Sequence, residues 1–118
     1  MHAYARAVHQ YVEAFEKADL ELIRDLYADN AVVEDPVGTD PHVGIDAVLG
    51  FYKSSLEMGA KLELTGNPRI AANSVAFPFK VVVPAMDMNI EVIDVFEFNE
   101  DGKVVSMRAY WGPENNAS

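Results

Sequence analysis

The succession of apolar patterns along the chain predicts an α+β fold, with helices packed on one face of a curved, mainly antiparallel sheet and a pocket between the two layers. Two observations carry this. Through the first half of the chain apolar residues recur at helical spacing, and after Gly59 they alternate with polar ones in short runs broken by turn residues. A third supports them: the helical patterns come first and the strand patterns afterwards, the order of an α+β domain rather than of alternating βαβ units.

Tyr4, Ala7, Val8, Tyr11, Val12 and Phe15 form the stripe of an amphipathic helix, with Tyr11 at its middle. Asp19 is placed to cap a second, short helix whose Leu20, Ile23, Leu26 and Tyr27 face inward, and residues 31–34 then read as a brief strand. Pro36 biases Asp35 toward extended backbone, and Gly38, Pro41 and Gly44 make the next stretch a structured loop. Ile45, Val48, Leu49, Tyr52 and Leu56 mark a third helix over residues 45–58, closed by Gly59. Strands are expected over residues 61–64, 69–72, 75–83, 86–98 and 103–111. No repeat, low-complexity segment or linker interrupts the pattern, so residues 1–118 read as one domain.

Half of the 118 residues are apolar, enough for one core without disulfides or a structural metal. The absence of cysteine excludes a disulfide framework, a zinc-thiolate site and a cysteine nucleophile. A net charge of -10 repels phosphate backbones and anionic lipid, so neither nucleic acid nor a membrane surface is an expected partner. With no signal-peptide pattern and no run of about 18 apolar residues, a cytoplasmic location is expected. His2, His9 and His42 lack ligand spacing, so no metal is expected. Glycine-rich phosphate loops, dinucleotide fingerprints and Gly-x-Ser-x-Gly are absent as well, and no cofactor is expected.

Three side chains stand out of place. On the strand expected over residues 86–98, Met86, Met88, Ile90, Val92, Asp94, Phe96 and Phe98 share one face, and Asp94 is its single carboxyl. Desolvation there raises a carboxyl pKa and leaves a neutral acid able to donate a hydrogen bond. A bond to a backbone amide or a serine hydroxyl at a strand irregularity, or a bulge that turns it to solvent, also accounts for such a residue. Tyr11 places a phenol in an apolar stripe, which core packing also explains, with Tyr27 and Tyr52 as inward-facing partners for its hydroxyl. Asp35, in a loop beside a proline, has the setting of a general base at a pocket mouth, although Asp-Pro-x-Gly is also ordinary turn chemistry. Glu34 has the opposite parity and is the weaker candidate. Phe51, Phe79, Val81, Met86, Val92, Phe96, Met107 and Trp111 are the candidates for an apolar pocket wall.

Gln-Tyr-Val-Glu-Ala-Phe, Tyr-Ala-Asp-Asn-Ala-Val-Val-Glu-Asp-Pro-Val-Gly, Gly-Phe-Tyr, Val-Ile-Asp-Val-Phe and Val-Val-Ser-Met-Arg-Ala-Tyr-Trp-Gly together resemble the bacterial ketosteroid isomerase family, from about Tyr11 to Trp111. The resemblance implies a cone-shaped fold of the nuclear-transport-factor-2-like (NTF2-like) type, a homodimer, and cofactor-independent movement of a double bond in a 3-ketosteroid from the β,γ to the α,β position. It implies Asp35 as general base, Tyr11 and Asp94 as oxyanion donors, and Tyr27 and Tyr52 as supporting hydrogen bonds. The resemblance itself implies a carboxylic acid kept neutral by an apolar site, so only the strand parity of Asp94 is independent of it. The chain departs from the family in its short segment before Tyr11. Other reactions on the same fold stay open, namely polyketide cyclase, dehydratase or epoxide hydrolase, as does a non-catalytic module that binds apolar ligands. The sheet face carrying Ile93 and Val95 is the expected dimer surface.

Overall fold

Helix α1 (Ala3–Lys17) begins where the His2 side chain accepts a hydrogen bond from the Tyr4 amide at 3.0 Å. It ends at Ala18, which takes a left-handed conformation at φ 52° and returns its N–H to the last carbonyls. Between these caps the helix buries Val8, Tyr11, Ala14 and Phe15, the inner part of the apolar stripe. Asp19 then caps α2 (Leu20–Arg24) by accepting from the Glu21 amide at 3.0 Å. The computed structural model describes residues 1–116.

The remaining elements are β1 (Tyr27–Glu34), β2 (His42–Val43), α3 (Ile45–Glu57), β3 (Lys61–Leu64), β4 (Arg69–Ala71), β5 (Ser74–Val83), β6 (Met88–Phe98) and β7 (Val104–Tyr110), with 3-10 turns at Pro84–Met86 and Pro113–Asn115. The strands form one sheet in the order β2-β1-β7-β6-β5-β3, and β4 pairs with β5. Its pairs are antiparallel except β1 with β7, which run parallel, so the sheet is mixed. The helices lie on its inner face, and the fold is the α+β architecture expected, with a curled, open sheet. Among the described residues no helix is long and apolar enough to cross a membrane.

Three expectations are corrected. Tyr27 is not part of the second helix: that helix stops at Arg24, and Tyr27 opens β1 by pairing with Val104 of β7, which makes β1 longer than residues 31–34. Met86 does not belong to β6, because Pro84 starts a 3-10 turn that leaves Met86 54% exposed, and the strand begins at Met88. Trp111 lies beyond the end of β7 at Tyr110.

The β5–β6 ladder sets the depth of everything on the inner face. Phe77 pairs with Asp94, Phe79 with Val92, Val81 with Ile90 and Val83 with Met88. The Phe77–Asp94 end is closed by a cluster of rings: Tyr11 meets Phe96 edge-on at 5.1 Å, and Phe77 meets Phe96 at 5.0 Å. Met107 is also fully buried in this core.

Candidate active site

Between the helices and the inner sheet face lies a cavity of about 230 Å³. A single buried water needs only roughly 10–15 Å³ on the same measure, so this space suits a ligand. Of the residues expected on its wall, Phe51, Phe79, Val81, Val92 and Trp111 line it, as do Tyr11, Tyr52 and Asp35. Phe96 and Met107 do not line it; they are fully buried in the core behind its closed end. Met86 is outside it on the exposed turn.

Several wall residues escaped the sequence reading. Met88 and Ile90 share the parity that singled out Asp94, and Leu62 and Val83 share the inner faces of their strands, so alternation alone could have found them. Phe15 follows Tyr11 by one helical turn, and Ser55 follows Tyr52 by nearly one. Met58 and Ala60 sit in the turn after α3, where no periodicity points to them.

Asp35 follows the last residue of β1 and is joined to Pro36 by a cis peptide bond. Its Oδ1 accepts a hydrogen bond from the Trp111 indole Nε1 at 2.7 Å, which ties the loop carboxyl to the residue leaving β7. Burial raises the proton affinity of Asp35, while the Trp111 bond and the nearby His42 imidazole pull it partly back. His42 is itself stacked on the wall residue Phe51 at 4.5 Å. Glu34 points elsewhere, accepting from the Gly38 amide at 2.9 Å and pairing with Arg108 at 3.5 Å.

Tyr11 is one end of a chain of phenols. Its hydroxyl lies 3.2 Å from that of Tyr52, which lies 2.5 Å from that of Tyr27. Burial raises the pKa of all three well above the usual phenol value. Within that rise, Tyr52 eases the ionisation of Tyr11, and Tyr27 eases that of Tyr52. Were the chain to donate from Tyr27 to Tyr52 to Tyr11, the Tyr11 proton would be free for a further acceptor.

Asp94 is 1% exposed and is the only charged or polar side chain of its kind buried in the core among the described residues. It lies two residues beyond Val92 on the same strand face, just past the cavity wall at the closed end. Neither of its carboxyl oxygens has a hydrogen-bonding partner among the described residues. Desolvation raises its pKa well above the ordinary value, and the charge of Asp35 raises it further; the neighbouring Tyr11 phenol opposes this weakly. The two carboxyls therefore differ in environment: burial raises the proton affinity of both, and Asp94, the more deeply buried, also carries the repulsion of Asp35.

The chain matches the family model of the SnoaL-like domain over residues 8–107. It belongs to the SnoaL-like family. The ketosteroid isomerase likeness read from the motifs extends to nearly full length: this SnoaL-like chain is 38% identical over 109 residues to a protein named steroid Delta-isomerase from Nocardioides simplex, covering 91% of the chain and 88% of that relative. It is also 33% identical over 111 residues to epoxide hydrolase LasB from Streptomyces lasalocidi, but spans only 39% of that protein's length. Among the described residues of this family member, no three His, Cys, Asp or Glu side chains cluster as metal ligands would.

Proposed function

We propose that the chain is a steroid Δ-isomerase that moves the double bond of a β,γ-unsaturated 3-ketosteroid into conjugation through a dienolate. The observation that carries this reading is the contrast between two carboxyls near one apolar cavity, Asp35 on its wall and Asp94 buried behind it with unpartnered oxygens. Asp35, as carboxylate, takes a proton from the carbon between ketone and alkene; the electron pair moves onto the ketone oxygen. Tyr11 and protonated Asp94 donate hydrogen bonds to that oxygen as it gains charge. Asp35 then delivers the same proton to the far carbon of the dienolate and is regenerated, so the reaction consumes no cofactor. Tyr52 and Tyr27 support Tyr11 through the phenol chain. The apolar residues Phe79, Val81 and Val92 hold the ring system.

The test is to add the chain to a β,γ-unsaturated 3-ketosteroid and follow the ultraviolet absorbance of the conjugated enone. Acceleration over buffer near neutral pH is expected; none would sink the isomerase reading. A second expectation concerns Trp111→Phe. The indole bond lowers the proton affinity of Asp35, so its loss raises that affinity and moves the acid limb of the kcat/KM profile to higher pH. An unmoved limb, or one moved to lower pH, contradicts the role given to that bond. The outer sheet face, where Ile93 and Tyr110 are exposed, is proposed as the surface of a homodimer, to be read by light scattering.

A further inference from the structure

We infer that Ser55 determines substrate specificity by accepting a hydrogen bond from a hydroxyl group at the end of the substrate remote from the ketone. This rests on the isomerase reading. The polar groups of the cavity wall gather at one end, where Tyr11, Tyr52, Asp35 and Trp111 stand. Away from that cluster every wall residue but one is apolar, and the exception is Ser55.

The connections of α3 place Ser55 toward the opposite end. After α3 the chain turns through Gly59 and Ala60 into β3, where Lys61 pairs with Val82 and Leu62 with Val81. The C-terminal end of α3 therefore leads into the Val83–Met88 end of the β5–β6 ladder, not the Phe77–Asp94 end. Those two pairs are six residues apart, about 20 Å along the strands. Ser55 lies three residues beyond Tyr52, about 4.5 Å farther along the helix. The long Tyr52 side chain reaches the phenol cluster, and helical side chains lean toward the N-terminus, which widens the separation between its hydroxyl and that of Ser55.

The Ser55 hydroxyl donates to the Phe51 carbonyl at 3.4 Å, leaving its lone pairs as acceptors. A substrate hydroxyl satisfies them without disturbing that bond. A ketone in the same place could be met only by turning the serine proton away from Phe51.

The experiment uses two unreactive phenolic steroids that differ only in a hydroxyl on the ring farthest from the phenol, with binding measured by calorimetry. The wild-type chain is expected to bind the hydroxyl-bearing ligand about 3- to 10-fold more tightly, the range of one net hydrogen bond. In Ser55→Ala the preference should fall to within about twofold. Ser54→Ala, which removes an exposed hydroxyl bonded to the Gly50 carbonyl, should keep it. A wild type with no preference, or a preference unchanged in Ser55→Ala, overturns the inference. Because these ligands do not turn over, a Ser55-dependent preference without isomerase activity sinks the proposed reaction and leaves the role of Ser55 standing. Turnover without the preference does the reverse, and failure to bind either ligand overturns the inference about Ser55.

Discussion

Replacing Asp35 by Asn is expected to lower kcat by about 10²–10⁴-fold, the contribution of a positioned general base. The amide matches the carboxylate in shape, and its oxygen can still accept the Trp111 Nε1 bond that is 2.7 Å long in the wild type. The cavity wall should thus persist, and KM for the steroid should change only a few-fold, since the lost interaction belongs to the transition state. In the proposed mechanism both proton transfers run through this one group, so no partial step survives its loss. Glu34 offers no substitute, because the Gly38 amide and Arg108 hold its carboxylate on another face. The measurement is steady-state isomerisation by Asp35→Asn beside calorimetric binding of a phenolic analogue. A variant that binds normally and keeps more than a tenth of the wild-type kcat would remove Asp35 from the role of base.

The residues differ in how far their positions were legible. The stripe of α1 was, because its burial follows from a period of 3.6 within one continuous segment, and the structure buries Val8, Tyr11 and Phe15 as that period requires. Tyr27 was misplaced because Ile23, Leu26 and Tyr27 continue a helical spacing past the true end at Arg24. What fixes Tyr27 is pairing with Val104 of β7, a long-range contact with no local trace. Met86 was misplaced by the reverse error, since the alternation of Met86, Met88 and Ile90 runs straight through a turn nucleated by Pro84.

The site was legible to a similar depth. Parity alone put Asp94 on the inner face, and its burial bears that out. That Asp94 lies just beyond the cavity wall depends on Phe77 opposite it and on the ring cluster around Phe96, facts of register and packing that no single strand encodes. Likewise Asp35 and Trp111 each looked like a pocket residue, but the bond between them joins positions far apart in the chain.

Asp94→Leu is expected to lower kcat by about 10²–10³-fold, the usual cost of losing one donor to a developing oxyanion. Asp94→Asn should fall between this variant and the wild type, because its amide still presents an N–H but lacks the acidity of a carboxyl proton. Stability should move the other way. The folded chain holds the Asp94 proton well above the ordinary carboxyl value of 3.8, whereas the unfolded chain releases it near that value. Across this window the folded state binds more protons, so this group makes stability fall as pH rises, with no cost below the unfolded pKa and the full cost above the folded one. Asn cannot ionise and escapes the penalty at nearly unchanged volume. Denaturation midpoints of Asp94→Asn and wild type should therefore nearly coincide below about pH 4. They should separate above it in favour of the variant, by at most about 1.4 kcal/mol per pH unit. A site that keeps an unpartnered acid at such a cost, and slows when relieved of it, is one in which stability has been exchanged for transition-state binding. Full kcat in Asp94→Leu, or a wild type that gains on Asp94→Asn as pH rises, would make Asp94 a packing residue and leave Tyr11 as the single oxyanion donor.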